Sequence, residues 1–566
     1  MEPRDATIWG GGVRPVHHTT PPRHDHRPGG ATLAWVAATL LLVALPRGGA
    51  AQEATQPQDL GSTTKDQLEE GEGSQVQLLA LFFTRAEATN IAPENDLFKG
   101  QTVGRLFGPN TTQSRESERS YFVEQRLLPF IIVTPEVLNN DALLRMSFEI
   151  DWTWGDSAYS TGGNFGGGFA GDQVNIQTQN VEAELKLPAP GWFTNIGLQR
   201  LFDTNRDPYR TFFETMNVTG LRLAFFGADA VGISAHGPAF GFNWRGGVYQ
   251  LWENNIGKGD DVYLMDFSVR RWLGNDSELS LSVRYLNDVS NTQGGVSLLG
   301  QGPTSPLAAY NGAYRFPLRG AEHEVDVFWI GLDGNHNPEF TARGFGGSAF
   351  AVLNAGQISA DAVEADPDTG EPLPARDVQL LGYALNARLG YRYGNSPTKR
   401  VVLDLLHTSG DDGIDDDTYS GVMTANTWTS PGAIFTSHGA YLLFPHVNVV
   451  NRFYGAVTDL SNQGYGVSAA FLNASTDLIR NKLIFKLGAA GATSTVTPEG
   501  GGNMIGVEGN ARLTWRIGPL LALEGHAAYM APGDFFDSPD VVEGVEEDGR
   551  PPDAWTTFAT LRWLLF

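Results

Sequence analysis

The chain has 566 residues and no cysteine. That excludes a disulfide scaffold, a thiolate metal site and a cysteine nucleophile. Positive charge is also scarce: 39 Lys and Arg stand against 64 Asp and Glu, a net charge of −25. A polyanion would meet a repulsive field, so nucleic acid is not an expected partner. Long apolar runs are nearly absent. The one exception is ATLAWVAATLLLVALP at 31–46, and a bilayer-spanning helix needs about 20 residues. No second helical span exists, so a helical membrane protein is excluded. What the chain does have is apolar and aromatic content, 41% and 11%, too much for a disordered polymer.

The single apolar run sets the compartment. Arg14, Arg23 and Arg27 precede it, and Gly48, Gly49, Ala50 and Ala51 follow it. This is the layout of a secretory signal peptide over 1–51, with cleavage expected after Ala51. An N-terminal anchor helix is the alternative. Residues 1–51 hold five bases and three acids, so the mature chain carries 34 minus 61, or −27. Residues 52–72, rich in Gln, Glu, Thr and Gly, read as a disordered leader. Residues 73–566 form the remaining domain.

That domain alternates with period two. In 147–154, Phe148, Ile150, Trp152 and Trp154 share one face, and Ser147, Glu149, Asp151 and Thr153 the other. In 279–285, Leu279, Leu281, Val283 and Tyr285 oppose Ser280, Ser282 and Arg284. In 505–517, Ile505, Val507, Ala511, Leu513, Trp515 and Ile517 oppose Glu508, Asn510, Arg512, Thr514 and Arg516. Such alternation means β-strands with one apolar and one polar face. Many of these segments run 10 to 13 residues. Globular strands average about 5 to 6, whereas membrane-spanning strands need about 9 to 11. Trp154, Trp192, Trp252, Trp272, Tyr393, Tyr529 and Trp555 fall near strand ends, as interfacial girdles would.

The expected fold is therefore all-β: a transmembrane antiparallel β-barrel of about 18 strands, with short periplasmic turns and long extracellular loops. The strands are expected near 75–85, 119–133, 142–154, 174–187, 192–202, 218–226, 240–252, 260–273, 277–288, 322–331, 337–350, 377–393, 398–409, 464–473, 480–492, 503–517, 520–530 and 554–566. Segment 227–239 has room to hide a strand, and 435–458 a hairpin. Two long loops, 289–321 and 410–463, have the length to fold into the lumen. The export signal and the barrel together place the protein in the outer membrane of a Gram-negative-type bacterium. Expected partners are outer-membrane lipid, lipopolysaccharide and the barrel assembly machinery.

Taking the polar strand face as the lumen gives the candidate pore-lining residues. The bases are Lys186, Arg222, Arg245, Arg270, Arg284, Arg388, Arg392, Lys482, Lys486, Arg512, Arg516 and Arg562. The acids are Glu149, Asp151, Glu182, Glu184, Asp266, Glu324, Asp326, Asp404, Glu508 and Glu524. The wall is balanced to slightly basic, and the acid excess sits in loops and termini. Arg388 with Arg392, and Arg512 with Arg516, lie four residues apart, about 13 Å along a strand. That spacing suits handing on the anionic groups of a polymer; mutual pairing across the wall is the alternative.

Other chemistry finds less support. Asp411, Asp412, Asp415, Asp416 and Asp417 form a dense acidic loop, whose hard oxygens would suit Ca²⁺; a solvated loop is the plainer reading. The spacing does not fit an EF-hand. No other cofactor is implied. His236, His407 and His438 stand near Ser234, Ser409 and Ser437, but nucleophilic catalysis also needs a third group and an oxyanion site. An outer-membrane hydrolase is thus the least favoured class, and no catalytic residue is assigned.

The segment 405–467, with Ser409, Gly410, Asp411, Phe435, His438, Tyr454, Gly455, Asp459, Leu460 and Asn462, resembles the bacterial alginate-export family. A looser likeness spans 172–227. The resemblance implies an outer-membrane, porin-like channel letting an anionic polysaccharide or small solutes cross passively. The chain has Gly197-Leu198-Gln199 where family members often carry Gly-Arg-Gln, so the channel is the expectation and alginate is not. A plugged barrel serving as surface receptor or adhesion protein is the second class.

Overall fold

The computed structural model describes residues 75–93, 112–114, 119–136, 141–154, 174–202, 226–253, 259, 261–274, 277–290, 323–338, 340–360, 376–413, 416–423, 425–426, 439–444, 457–458, 460–518, 520–542 and 545–565. The expected signal peptide and leader lie outside them, as does most of the loop 289–321.

Eighteen strands close into one antiparallel barrel: Gln75–Thr89, Ser120–Thr134, Ala142–Thr153, Val174–Lys186, Phe193–Phe202, Phe226–Ala239, Phe242–Trp252, Val262–Gly274, Ser277–Asp288, His323–His336, Gly344–Ala360, Arg376–Arg392, Arg400–Thr408, Val467–Ile479, Leu483–Ser494, Met504–Arg516, Leu521–Pro532 and Ala554–Leu565. Each pairs with its sequence neighbour, and Gln75–Thr89 also pairs with Ala554–Leu565 from Ala80↔Leu565 to Thr89↔Thr556. Closure leaves the barrel wall no open edge, the condition for crossing hydrocarbon with strands. The seventeen connections fall into two groups. Eight at one end have 2 to 7 residues, and nine at the other have 9 to 58. Among the described residues no helix is long and apolar enough to span a membrane.

The expected strand 218–226 lies outside the described residues except for Phe226, and the stretch 227–239, which had room to hide a strand, belongs to the strand Phe226–Ala239. Its sequence, FGADAVGISAHGPA, has small residues where others have large ones, so its alternation is faint. Its turn hides too. Phe240 (φ 55) and Gly241 (φ 78) take the two left-handed positions that match hairpin twist. A phenylalanine there gives no turn signal.

The apolar strand face points outward. Along Arg376–Arg392 the exposed positions include Leu381, Tyr383, Leu385, Leu389 and Tyr391, while Asn386, Arg388 and Arg392 are buried inside. Ten steps from Leu381 to Tyr391 span about 33 Å, or about 25 Å of height at the usual tilt, the apolar band of a membrane barrel. Ala559, Leu561 and Trp563 form the outer face of the last strand, with Phe558 and Arg562 turned inward. Such a surface is suited to lipid.

Toward the long-loop end the polarity exchanges while the period persists. The ladder row Gln250, Tyr263, Asn287, Asp326, Gln357 and Gln379 faces outward and is polar. The Tyr285 hydroxyl (2.5 Å) and Asn287 amide (2.9 Å) both donate to Asp326. On the inner face Leu264, Leu286, Val325, Val327, Trp329, Ile358, Val378 and Leu380 are buried around loop residues Tyr419, Val422 and Met423. The assignment of Glu324 and Asp326 to the lumen is thus corrected. Both are exposed on the outside, and Val325 and Val327 face in. There the loop makes the inside dry and water makes the outside wet, so polar residues mark the opposite face.

Candidate functional site

The described parts of the long loop 409–466 lie against the inner wall. The loop leaves strand Arg400–Thr408, and Ser409 is pinned at both amide and hydroxyl to Tyr383 (2.9 Å each). Thr418–Tyr419 runs parallel to Gln379–Leu380. The Trp329 indole then donates to the Met423 carbonyl (3.2 Å), and Asn354 accepts from the Met423 amide (3.1 Å). Ala425–Asn426 pairs with Phe226–Gly227, four strands further round than Trp329.

A second part of the loop, 439–444, lies against the strand Met504–Arg516, four strands further round from Arg376–Arg392. Glu508 points inward from Met504–Arg516 and accepts the amides of Tyr441 (2.7 Å), Leu442 (2.9 Å) and Leu443 (2.7 Å). Asn510, two residues on, donates to the Gly439 carbonyl (2.7 Å) and to Glu508 (3.0 Å). The Tyr441 ring meets His526 and Phe558 edge-on (5.2 and 5.9 Å), with the Lys486 ammonium 5.4 Å from its centre. Behind this layer, Val457 and Thr458 donate to the carbonyls of Leu442 and Leu443 (2.8 and 3.2 Å). No strand forms in the described part of 435–458, and these two bonds advance in the same direction along both segments, unlike the antiparallel register of a hairpin.

Most of the sequence-derived lumen charges are held in pairs. Arg388 binds Asp404 (2.8 Å), which also accepts from Asn386 (2.6 Å). Arg284 and Arg245 flank Asp266 (3.1 and 3.8 Å), and Arg270 faces Glu278 (3.8 Å). Arg562 and Arg512 share Glu524 (2.8 and 3.9 Å). Glu182 and Glu184 meet Arg145 (2.5 and 3.5 Å). Arg392 is spent on turn carbonyls of Phe340 (2.8 Å), Thr341, Gly394 (3.1 Å) and Asn395 (2.6 Å). Arg388 and Arg392 therefore serve as braces in this geometry. Lys486 is buried beneath the loop, and Arg516 is half-buried at the short-turn end.

Two positions fall at the short-turn end rather than in the lumen. Lys186 is exposed at a strand end beside Asp141 (3.0 Å), and Lys482 is exposed in a turn. Arg222 and the side chains of Glu149 and Asp151 lie outside the described residues. Sequence phasing overlooked Arg85, Glu87, Glu124, Arg145, Glu278 and His526, all turned inward. Arg145 falls within the expected strand 142–154 and shares its parity with Ser147, so carrying the phase two residues back from 147 finds it. The wall-bound segment GAYLLF left only one trace, an apolar run within a polar loop.

The acidic loop has local work. Asp411 is buried and accepts from the amide and hydroxyl of Ser420 (2.9 and 3.1 Å). Asp416 caps Thr418 in the same way (2.8 Å each). Asp412 and Asp417 are exposed, and Asp415 lies outside the described residues. Among the described residues no three His, Asp or Glu side chains converge as a metal site. Of the Ser-His neighbours, the Ser234 hydroxyl donates to Gln199 (2.7 Å), and Ser409 is bound to Tyr383. Ser437 and His438 lie outside the described residues.

Outside the lumen, Arg550 binds Asp537 through two bonds (2.7 and 2.5 Å) in the loop 533–553. Those bonds hold the Asp537 carboxyl below its ordinary value.

No family model matches the sequence, and no curated protein does. Among solved structures the chain is similar to the outer membrane protein OpdK from Pseudomonas aeruginosa. Identity is 10%, covering 86% of this chain and 98% of that one, with a TM-score of 0.42. It is also similar to OccAB2 from Acinetobacter baumannii, at 9% identity, 86% and 98% coverage and a TM-score of 0.43. The architecture described above stands on its own strand pairing.

Proposed function

We propose that the protein is an outer-membrane channel through which small hydrophilic solutes pass passively, with the loop 409–466 setting the aperture. One observation carries this reading: over the height of the apolar band the closed 18-stranded wall is apolar outside and charged inside. Charged side chains in a barrel of this width have a use if water and solute replace lipid there, because fixed charges offset the hydration a solute loses. No cofactor is needed, and the protein is not an enzyme on this reading. Paired Arg and Asp or Glu give a mixed-charge lumen with neither sign dominant.

The resemblance to alginate-export proteins makes an anionic polysaccharide the polymer to test first. The residues carrying it have a supporting part. Ser409, Asp411 and Asn462 are buried and hydrogen-bonded at the base of the loop, Asn462 donating to the Gly466 carbonyl (2.9 Å). The resemblance thus bears on how the constriction is anchored rather than on what passes. The plugged-barrel reading draws on the apolar packing of Tyr419, Val422 and Met423 inside the wall. Liposome swelling decides between them. Mature protein in vesicles should admit small neutral and charged sugars with a sharp size limit. Vesicles that stay impermeable to every solute would favour a receptor.

A further inference from the structure

The segment 439–444 lies across the inner wall without joining its ladder. Its five residues Ala440–Phe444 are all buried, yet none forms a strand. Tyr441 packs against His526 and Phe558, and Phe444 against Phe471 (5.3 Å), while the polar hold on the wall centres on one carboxylate. Three consecutive amides, those of Tyr441, Leu442 and Leu443, converge on Glu508, and both carboxylate oxygens are used. Successive amides curled round one point form a concave anion site, and charge-assisted bonds of this kind are the stronger ones. Glu508 is 3% exposed, so water does not compete. Its anchorage through Asn510 at Gly439 is a single neutral bond.

We propose that Glu508 is the latch of a lumen gate formed by residues 439–444, and that the amide pocket it fills is a binding site for a small carboxylate. Resting on the channel reading, this says what holds the aperture-setting segment against the wall. Because the segment makes no ladder bonds, it can leave the wall without opening the barrel. The occupant is fixed by the pocket: planar, anionic, and small enough for two oxygens to take three donors. In the intact chain that occupant is the Glu508 side chain. When the side chain is shortened, a free carboxylate can take its place.

The missing cysteine makes the test clean, since a single introduced thiol is the only one present. Leu442→Cys is placed in the mature chain as a probe, and its rate of reaction with a membrane-impermeant maleimide is measured in vesicles. Behind the latch the reaction is slow. Adding Glu508→Ala should speed it about tenfold or more, the effect of losing one charge-assisted bond. Formate at fixed ionic strength should slow it again, and chloride should not. Glu508→Gln, nearly the same shape, should also speed labelling, and it covers the case in which the alanine variant does not fold. Unchanged labelling in a folded Glu508 variant overturns the latch. Faster labelling that formate does not slow overturns the anion site. The readout needs no ion current, so a wild-type barrel that fails to conduct would count against the channel reading alone.

Discussion

Leu385 and Gln379 lie on the same strand and the same face, six residues or about 20 Å apart. Both side chains are exposed. In water they would be equivalent sites for arginine. In a bilayer they are not. Leu385 is four steps below the top of the apolar band, about 13 Å along the strand and about 10 Å in depth at the usual tilt. Gln379 belongs to the polar row that includes Asp326. Leu385→Arg should therefore cost about 2–4 kcal/mol, and Gln379→Arg about 0–1. The first corresponds to roughly 30- to 1,000-fold in the folded ratio. Urea titration in phospholipid vesicles, followed by tryptophan fluorescence, measures both. Equal costs at the two sites would refute the assigned boundary and the polarity exchange that rests on it.

Gly466 sits at φ +66, and a Cβ there would lie 2.6 Å from the Gly410 amide nitrogen. Gly466→Ala should strain the loop base by about 1–3 kcal/mol and expose 409–466 to protease; unchanged digestion would count against that anchorage. Trp329 is 1% exposed and bonded to Met423. Trp329→Ala should lower stability by about 3–5 kcal/mol if the inner face is packed there; a surface-sized loss in denaturant titration would mean the loop does not cover it. Asp537 is held below its ordinary value by Arg550. A depressed carboxylate stabilises above its unfolded value, near 3.9, and the gain is lost as pH falls through the lower folded value. The pair is about 40% exposed, so the effect is about 0.2–1 kcal/mol. Amide protection in 533–542 and 545–550, taken as exchange relative to an unstructured peptide at the same pH, should fall below about pH 4, and Arg550→Ala should abolish that fall; a loss of protection surviving in the variant contradicts it.

The barrel was legible because strands bordering lipid must be long and must alternate. Arg376–Arg392 and Met504–Arg516 show this plainly, and the count of eighteen follows from connections of two lengths. Phe226–Ala239 was obscured because glycine and alanine blur its alternation and phenylalanine occupies its turn. Period two locates a strand but not which face is wet, and that is why Glu324 and Asp326 were assigned inward. The lumen charges were mostly found by phase, since Arg284, Arg388, Asp404, Glu508 and Glu524 obey it. Their pairing was not, because it depends on register between strands. The contact between Glu508 and residues 441–443 joins positions more than sixty apart through backbone amides, and backbone donors leave no mark in a sequence.

Single-channel recording tests the central claim most directly. Refolded mature protein is inserted into a planar bilayer under a salt gradient, and conductance and reversal potential are read with and without polyuronate. The account predicts discrete open steps with weak ion preference, as a lumen of paired charges requires, and partial block by a polyanion that enters it. Silence from correctly folded protein would contradict it.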